Sequence, residues 1–293
     1  MMKKIISILL LGLSASAQAA LYDRGNGLIY DDQLNVTIMQ DANLFKTLAG
    51  NDSSLVSNII SANNGVIHDT ANVFDGGTRT ITSADFTASS GAMTWWGAQA
   101  FIGYLNNINY DGYNDWRLPI NSPVDVALGF NYNTSFNGSS DIGWNIKSTN
   151  SELAYLFNVD LNLINKYVDT VSPTLTNSIS NSNPNGLQIW SGVTAPTGFQ
   201  DKVSNSTANF SNVQNGNYWS GTEGTNPVNQ AMANQAFNFY VHEGDQMIIN
   251  KTSMYNAWVF RSADVTAVPL PASVWLFLSA ILGFMSFKRN RKG

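Results

Sequence analysis

Residues 111–119, Asp-Gly-Tyr-Asn-Asp-Trp-Arg-Leu-Pro, constrain the fold of this chain more than any other stretch. Its Asp-Gly and Asn-Asp pairs favour tight turns, because glycine tolerates positive φ and Asx side chains bond to nearby backbone amides. Trp116 and Leu118 alternate with Arg117, which is typical of a short half-buried strand that Pro119 ends. We expect Trp116 to anchor the core, and Arg117 to reach water or a carboxylate or carbonyl partner. The stretch predicts a corner that holds the fold, and a binding site is the alternative.

The N-terminal residues have the pattern of a secretory signal peptide. Lys3 and Lys4 precede an apolar run at residues 5–13, and Ala17-Gln18-Ala19 is a small-x-small cleavage pattern. The apolar run is too short to span the roughly 30 Å of a bilayer core. We therefore expect a signal peptide at residues 1–19, cleavage after Ala19, and an exported domain at residues 20–267.

The last 26 residues, 268–293, change in character again. The proline motif Val268-Pro269-Leu270-Pro271-Ala272 begins an uncharged run of 20 residues, and a basic cluster at 288–292 follows. An apolar run of this length suffices for one membrane span, with the basic end on the cytoplasmic side. The pattern predicts a single C-terminal hydrophobic helix.

The charge distribution argues against a nucleic-acid partner. The formal net charge is −5, but six of the fifteen basic residues lie in the two end segments and all twenty acids lie between them, which leaves the middle of the chain at −11. An acidic surface repels polyanions at long range. The chain also contains no cysteine, so it has no disulfides, thiol nucleophile or thiolate metal site.

Several segments alternate like strands. The turn at residues 25–27 leads into a strand at 28–30, and residues 34–39 and 217–222 have similar patterns. Residues 236–241 and 246–249 read as a hairpin with its loop at 242–245, and residues 257–261 as a final strand with Trp258 and Phe260 on one face. Residues 50–90 are polar, and we expect them to form an irregular excursion.

Two helices are predicted. Thr94 is a suitable N-cap for the first, and its apolar stripe has helical spacing: Ala98, Phe101, Ile102 and Leu105. Of Trp95 and Trp96 at its start, we expect one to pack inward and the other to be exposed. The second begins with a capping box of Thr149 and Glu152 and buries Leu153, Leu156 and Phe157. With the strands, this order predicts an α+β domain with an antiparallel sheet and two helices.

The chain contains acids but no recognisable catalytic constellation. Its two histidines, His68 and His242, lie in unrelated segments, and no nucleophile elbow, phosphate loop or His-rich metal motif is present. A carboxylate pair would suffice for glycoside hydrolysis, for example Glu223 with Glu243 or with Asp245. Because acids in polar turns are usually just solvated, we do not expect an enzyme.

No cofactor is indicated, and calcium is the one ion that the sequence raises. Asp31, Asp32 and Asp41 supply carboxylates near one another in the chain. Their spacing lacks the regular ligand loop of a calcium-binding hand, which favours turn-capping roles and leaves a metal site as the alternative.

The C-terminal segment resembles the PEP-CTERM sorting signal, on the motif Val268-Pro269-Leu270-Pro271-Ala272, the hydrophobic run and the basic end. The motif carries Leu where the namesake has Glu. The resemblance implies processing by an exosortase near the motif. It also implies an inner-membrane intermediate and transfer to the outer surface or extracellular matrix of a Gram-negative bacterium that makes exopolysaccharide.

The domain at 20–267 resembles the Lcl C-terminal domain family. The resemblance rests on residues 27–31, 93–95, 112–119, 151–153, 218–222 and 258–261, and among these the motif residues are Asp115, Trp116, Arg117, Leu118, Pro119, Trp219, Ser220, Trp258 and Arg261. It implies a C-type-lectin-like fold and an adhesive role in biofilm through sulfated glycans. It brings no catalytic residues. A domain of charge −11 is poorly suited to sulfated polymers unless a cation bridges them.

Together these features predict an exported, surface-associated lectin-like protein that binds exopolysaccharide or other glycans. Sugars stack on aromatic rings and pair with amides, and loops are where binding residues concentrate. Candidate glycan contacts in loop-like stretches are Tyr110, Tyr113, Trp144 and Trp190, and core packing is the alternative role for each of them. A purely structural matrix protein is one alternative, and a polysaccharide hydrolase is another.

Overall fold

The computed structural model describes residues 21–71, 76–163, 165–174, 210–224 and 234–265. The predicted signal peptide with Ala17 and Ala19, Trp190, and the predicted sorting segment from Val268 onward lie outside these residues. Within the described ranges, no helix combines the length and apolar character that crossing a membrane requires.

One five-stranded antiparallel sheet joins the two ends of the domain. Its strands, in spatial order, are β1 (Leu21–Gly25), β2 (Leu28–Asp31), β3 (Val36–Met39), β14 (Phe260–Ser262) and β8 (Trp116–Arg117). Phe260 pairs with Ile38 on one side and with Arg117 on the other. The strand predicted at 257–261 therefore begins later than expected, and it holds the residue 111–119 corner against the N-terminal hairpin.

A second five-stranded sheet carries the predicted hairpin. Its spatial order is β11 (Asn217–Glu223), β12 (Gln235–Tyr240), β13 (Asp245–Asn250), β10 (Ile142–Trp144) and β9 (Thr134–Ser135). All neighbours are antiparallel except β9 and β10, which run parallel. Two small hairpins, β4 (Val66–His68) with β5 (Thr78–Thr80) and β6 (Phe86–Thr87) with β7 (Ala92–Met93), complete the strands.

The described residues contain four α-helices, so the prediction of two was wrong. They are α1 (Leu44–Asn51), α2 (Leu55–Ala62), α3 (Trp95–Asn107) and α4 (Glu152–Tyr155), and the last continues as a π-helical turn, Leu156–Asp160. Helices α1 and α2 have only eight residues each and bury just Leu44, Phe45, Leu55 and Ile59. Such short helices depend on tertiary packing rather than on a long apolar stripe, so pattern reading overlooks them.

The described residues between 50 and 90, which are 50–71 and 76–90, are correspondingly more ordered than predicted. They contain α2, the β4–β5 hairpin and a short 3₁₀ turn, Ser83–Asp85, whose capping box links Thr82 and Asp85. Asp85 also accepts a hydrogen bond of 2.9 Å from Oγ1 of Thr94, the N-cap of α3. The excursion therefore packs on the start of the main helix.

Helix α3 has the predicted cap and buried stripe. The Thr94 hydroxyl accepts from the Gly97 amide, and Ala98, Phe101, Ile102 and Leu105 are all buried. The expectation for the two tryptophans was wrong, because Trp95 and Trp96 are both 3 % exposed. The segment before α3 packs closely on the start of the helix at Gly97. A Cβ at this position would lie only 2.7 Å from the Asp85 carbonyl oxygen, so glycine is needed for this close approach.

Candidate functional site

The corner at 111–119 is built around the buried side chain of Trp116. Trp116 is 2 % exposed, and its indole Nε1 donates to the Tyr110 carbonyl at 2.9 Å. The Asn106 side chain pairs with the Trp116 backbone in both directions, at 2.7 and 2.8 Å. Trp116 is therefore a core anchor, as predicted.

Of the alternatives predicted for Arg117, the structure shows a carboxylate partner, Glu152. The guanidinium donates two hydrogen bonds of 2.7 Å to the two carboxylate oxygens, and Oε2 also accepts from the Ile120 amide at 2.8 Å. The predicted capping box at Thr149 is wrong. Helix α4 begins after Ser151, and no side chain caps it. Glu152 is 4 % exposed and serves the distant corner instead of its own helix.

The other motif residues also tie distant segments together. Trp219 Nε1 donates to the Met93 carbonyl and Trp258 Nε1 to the Met39 carbonyl, at 2.9 and 2.8 Å. Ser220 Oγ donates to the Pro119 carbonyl at 2.9 Å. Arg261 makes a bidentate contact with Asp115 at 2.8 and 2.9 Å. Leu118 is buried. This geometry assigns the motif to holding the fold.

Two of the candidate glycan contacts lie on this corner. Tyr113 meets the edge of Trp116 with ring centroids 5.9 Å apart, and the Arg261 guanidinium lies 4.1 Å from the Tyr113 ring centre. Tyr110 and Tyr113 are half-buried and pack against the core cluster that contains Trp116. Their rings are occupied by packing and cation–π contacts.

Trp144 belongs to a separate, half-buried aromatic cluster at the end of β10. Phe136 stacks parallel to it at 5.2 Å, and Tyr167 meets it edge-on at 4.6 Å. The indole Nε1 is buried and has no hydrogen-bond partner among the described residues. A buried donor without a partner is costly, so a ligand or water that reaches it would be stabilised.

A pocket of about 210 Å³ opens beside this cluster, and we call it the amide pocket. It is lined by Asn145, Lys147, Asn158, Asn162, Leu163, Asn165, Tyr167, Val168 and Asp169. Tyr167 is the aromatic residue that lines it, with Trp144 behind. Sequence reasoning missed Tyr167 and the asparagines, although Asn-rich segments beside an aromatic residue were the signal that was available.

The lining asparagines hydrogen-bond to other protein groups and so fix the shape of the pocket. The Asn145 side-chain amide donates to the carbonyls of Phe136 and Tyr167, at 2.8 and 3.0 Å. Asn165 donates to Asn158, which donates in turn to the Ile146 carbonyl. A network of mutually satisfied buried amides is rigid. The amides therefore hold the Tyr167 backbone in place, and the charged pair Lys147–Asp169 provides exposed polar groups at the rim.

Charged groups of the β12–β13 hairpin lie close to the aromatic cluster. Asp245 pairs in register with Trp144, and Lys166 Nζ contacts Glu243 at 2.7 Å and lies 5.8 Å from the Tyr167 ring centre. Burial and the nearby Glu243 charge raise the pKa of Asp245 to about 7, with Lys166 opposing them. The hairpin therefore places a carboxyl group with a pKa of about 7 on the strand next to Trp144.

Two of the carboxylates considered for hydrolysis, Glu223 and Glu243, have separate partners. Glu223 and Asp69 both contact the buried Lys251 ammonium at 2.8 Å, and that ammonium lies 4.5 Å from the Trp95 ring centre. Glu243 is engaged by Lys166 on the hairpin. Lys251 is fully buried. The Lys251 cluster was not foreseen from the sequence, because its members come from three distant segments.

The three aspartates that the sequence raised as a possible calcium site have other partners. Asp41 accepts from the Asn43 amide and the Thr47 hydroxyl at the start of α1, and Asp31 accepts from two amides of its own turn. Asp32 accepts from the Tyr22 hydroxyl at 3.2 Å. Across the described ranges, no group of three or more acidic or histidine side chains converges as a metal site.

Comparison with known proteins identified no relative of this chain. No protein-family model, curated protein or solved structure matched the chain.

Proposed function

We propose that the protein is an exported, surface-associated, lectin-like binding protein that adheres to exopolysaccharide or other glycans. The single observation that carries this proposal is the amide pocket, in which the half-buried Tyr167 ring lies among amide and charged side chains. Sugars need this combination, because their C–H faces stack on aromatic rings while their hydroxyls pair with amide, carboxylate and ammonium groups.

The size and rigidity of the pocket limit what it holds. About 210 Å³ is below the range of drug-sized sites, so we infer that it takes one terminal or branching sugar residue rather than a long stretch of polymer. The amide network is preorganised, which lowers the entropy cost of binding. Binding at a surface then gains strength from many copies acting together on one polymer.

The proposed route to the surface rests on the two end segments. The pattern at residues 1–19 supports export, and Val268-Pro269-Leu270-Pro271-Ala272 with its hydrophobic run and basic end supports membrane insertion and exosortase processing. The resemblance of residues 112–119 and 258–261 to the Lcl C-terminal domain family supports a C-type-lectin-like variant of the α+β fold. Mass spectrometry of surface-extracted protein should find a C-terminus near Ala272, and an intact Gly293 terminus would reject the processing step.

A structural matrix role is the second candidate, because one loop carries apolar side chains outward. Val126 and Leu128 are 73 % and 82 % exposed, which suits self-association within a matrix. This role predicts that Val126→Ser/Leu128→Ser weakens self-association and leaves glycan binding unchanged. The hydrolase alternative gains no support from Glu223 and Glu243, since each is engaged by its own lysine.

A glycan array tests the binding proposal directly. Surface-extracted protein should bind a defined set of glycans, and Tyr167→Ala should weaken that binding by roughly tenfold or more, the loss of about one stacking contact. The matched control is Tyr22→Ala, which removes a 40 % exposed tyrosine from β1, outside the pocket lining, and should leave binding unchanged. No glycan binding with or without calcium, or equal loss in both variants, would reject the amide pocket as the site.

A further inference from the structure

Lys251 and Asp69 meet in a part of the interior that bulk solvent does not reach. The Lys251 side chain is fully buried, that of Asp69 is 1 % exposed, and Lys251 Nζ lies 2.8 Å from Asp69 Oδ2. Glu223 contacts the same nitrogen through Oε2, also at 2.8 Å. The nitrogen lies 4.5 and 5.7 Å from the ring centres of Trp95 and Trp96. An amine and two carboxyl groups are thus held in contact beside two aromatic rings.

The two carboxylates around Lys251 differ in their hydrogen bonds. Trp96 Nε1 donates to Asp69 Oδ2 at 2.9 Å, whereas Asp69 Oδ1 is buried and has no hydrogen-bond partner among the described residues. Glu223 Oε1 accepts from the Thr70 amide at 3.0 Å, and this residue stays partly exposed. A buried carboxylate oxygen without a donor is costly. Asp69 therefore has one oxygen that a donor stabilises and one whose departure would remove an unpaired acceptor.

We propose that Lys251 and Asp69 become joined by an isopeptide bond, an amide between Nζ and Cγ, with Glu223 as the catalytic proton carrier. Fixed contact makes the reaction intramolecular, for which effective concentrations reach about 10⁵ M or more. Burial makes the charged amine and carboxylate costly, whereas the amide product is neutral. Exclusion of water also protects the amide from hydrolysis. In the structure the two groups are in hydrogen-bond contact, which is the arrangement that precedes the bond.

The bond forms without any co-reactant. The Nζ lone pair of Lys251 attacks Cγ of Asp69 and forms the N–C bond, while the Trp96 N–H stabilises the negative charge that develops on Oδ2. The Cγ–Oδ1 bond then breaks. The ammonium loses two protons in all, and Glu223 takes each from the nitrogen and passes it to Oδ1, which leaves as water. Glu223 ends the reaction as the carboxylate that it was, and no atom is oxidised or reduced.

The bond ties together two segments that are far apart in the chain. Asp69 follows β4, and Lys251 follows β13 of the second sheet, 182 residues later. A cross-link that closes so long a loop restricts the unfolded chain. Because the chain contains no cysteine, this amide supplies the kind of covalent link that disulfides provide in many secreted domains. The inference is independent of glycan binding, since neither these two residues nor Glu223 line the amide pocket.

Mass spectrometry of the purified full chain tests the proposal. The wild type should be lighter by about 18 Da, the mass of one water, than the unmodified polypeptide with the same ends. Trypsin should no longer cleave after Lys251, and fragmentation should show the peptide of Asp69 joined to that of Lys251. Lys251→Arg keeps the positive charge but lacks the nucleophilic amine, so it should have the full mass. Glu223→Gln should slow bond formation in newly synthesised protein by roughly 100-fold.

The Lys147–Asp169 pair is the internal control. Its nitrogen and oxygen are 2.7 Å apart, but both side chains are exposed, so we expect no bond there. Lys147→Arg should leave the mass deficit unchanged. The proposal is overturned if the wild type has the full mass, if Lys251→Arg shows the same deficit, or if the cross-link joins Lys251 to Glu223 instead of Asp69. Bond formation in Glu223→Gln at the wild-type rate would overturn the role of Glu223.

Discussion

Arg117 and Glu152 are joined by two parallel hydrogen bonds of 2.7 Å, one to each carboxylate oxygen. The pair connects β8 in the first sheet to the first residue of α4, 35 residues later in the chain. Because Glu152 also accepts the Ile120 amide, one buried carboxylate satisfies three donors from the corner. This planar fork-to-fork arrangement is available to arginine and not to lysine.

Removing Glu152 should therefore be severe. We expect Glu152→Ala to lower the free energy of unfolding by about 3–5 kcal/mol, because it leaves a half-buried guanidinium and a backbone amide without their acceptor. Glu152→Gln should cost less, since it retains one acceptor oxygen. Urea denaturation of each variant measures the difference.

Asp264→Ala provides the matched control for this experiment. Arg24 and Asp264 form a similar bidentate pair at 2.8 and 2.6 Å, but the side chain of Asp264 is 37 % exposed, whereas that of Glu152 is 6 % exposed. An exposed pair of this kind contributes about 0–1 kcal/mol. Equal costs for Glu152→Ala and Asp264→Ala would contradict the structural role assigned to the Arg117 pair.

Lys251 is the second buried charge on which the fold depends. Lys251→Met should destabilise the protein by about 3–5 kcal/mol, because Asp69 and Glu223 would remain close together without their shared cation. The triple variant Lys251→Met/Asp69→Asn/Glu223→Gln should recover part of this loss. Lys147→Met, which breaks an exposed pair, should cost less than about 1 kcal/mol. If chemical denaturation showed the same loss of unfolding free energy for Lys147→Met and Lys251→Met, this assignment would be refuted.

The features that the sequence predicted correctly are those coded locally. The Thr94 cap and the stripe from Ala98 to Leu105 depend on residues within two turns, and the hairpin at 236–249 depends on alternation around Gly244. The errors arose where a distant residue decides the outcome. Glu152 has a good capping position three residues after Thr149, yet the half-buried Arg117, 35 residues away, offers a stronger partner.

The candidate site was harder to predict for the same reason. Trp144 could be selected as an aromatic residue in a loop-like stretch, but the pocket beside it depends on a hydrogen-bond network that joins β10 to residues 158–169. Nothing in a linear pattern shows that Asn145 holds the Tyr167 carbonyl. Single aromatic residues were visible in the sequence, whereas their arrangement was not.

The stability of the protein should depend on pH through Asp245. Its pKa is raised from 3.8 to about 7 in the folded state, so between these values the folded protein holds a proton that the unfolded chain releases. The contribution of Asp245 to stability is therefore greatest below about pH 4, falls as pH rises to about 7, and then stays level. A shift of this size corresponds to a loss on the order of 4 kcal/mol.

Asp245→Asn isolates this contribution. The variant should be more stable than the wild type at pH 8 and similar to it near pH 4, as measured by denaturant unfolding at both values. Glu243→Gln should shrink the pH-dependent loss without abolishing it, because burial is the larger cause and the Glu243 charge the smaller. Parallel pH profiles for wild type and Asp245→Asn would show that Asp245 does not titrate in this range.

Gly143 connects backbone conformation to the amide pocket. Its φ is +114°, and a Cβ there would lie 2.0 Å from the Ser135 carbonyl oxygen on the adjacent strand β9. Gly143→Ala should cost several kcal/mol, since backbone strain of about 1–3 kcal/mol adds to about 1–3 kcal/mol of overpacking. Because Trp144 follows directly, the variant should also weaken glycan binding.

Gly129→Ala is the control: its φ is +76° but nothing lies within 4 Å of the added carbon. It should cost only about 1 kcal/mol and leave glycan binding intact. If the two variants had equal effects, the β9–β10 contact would not be what supports the binding site.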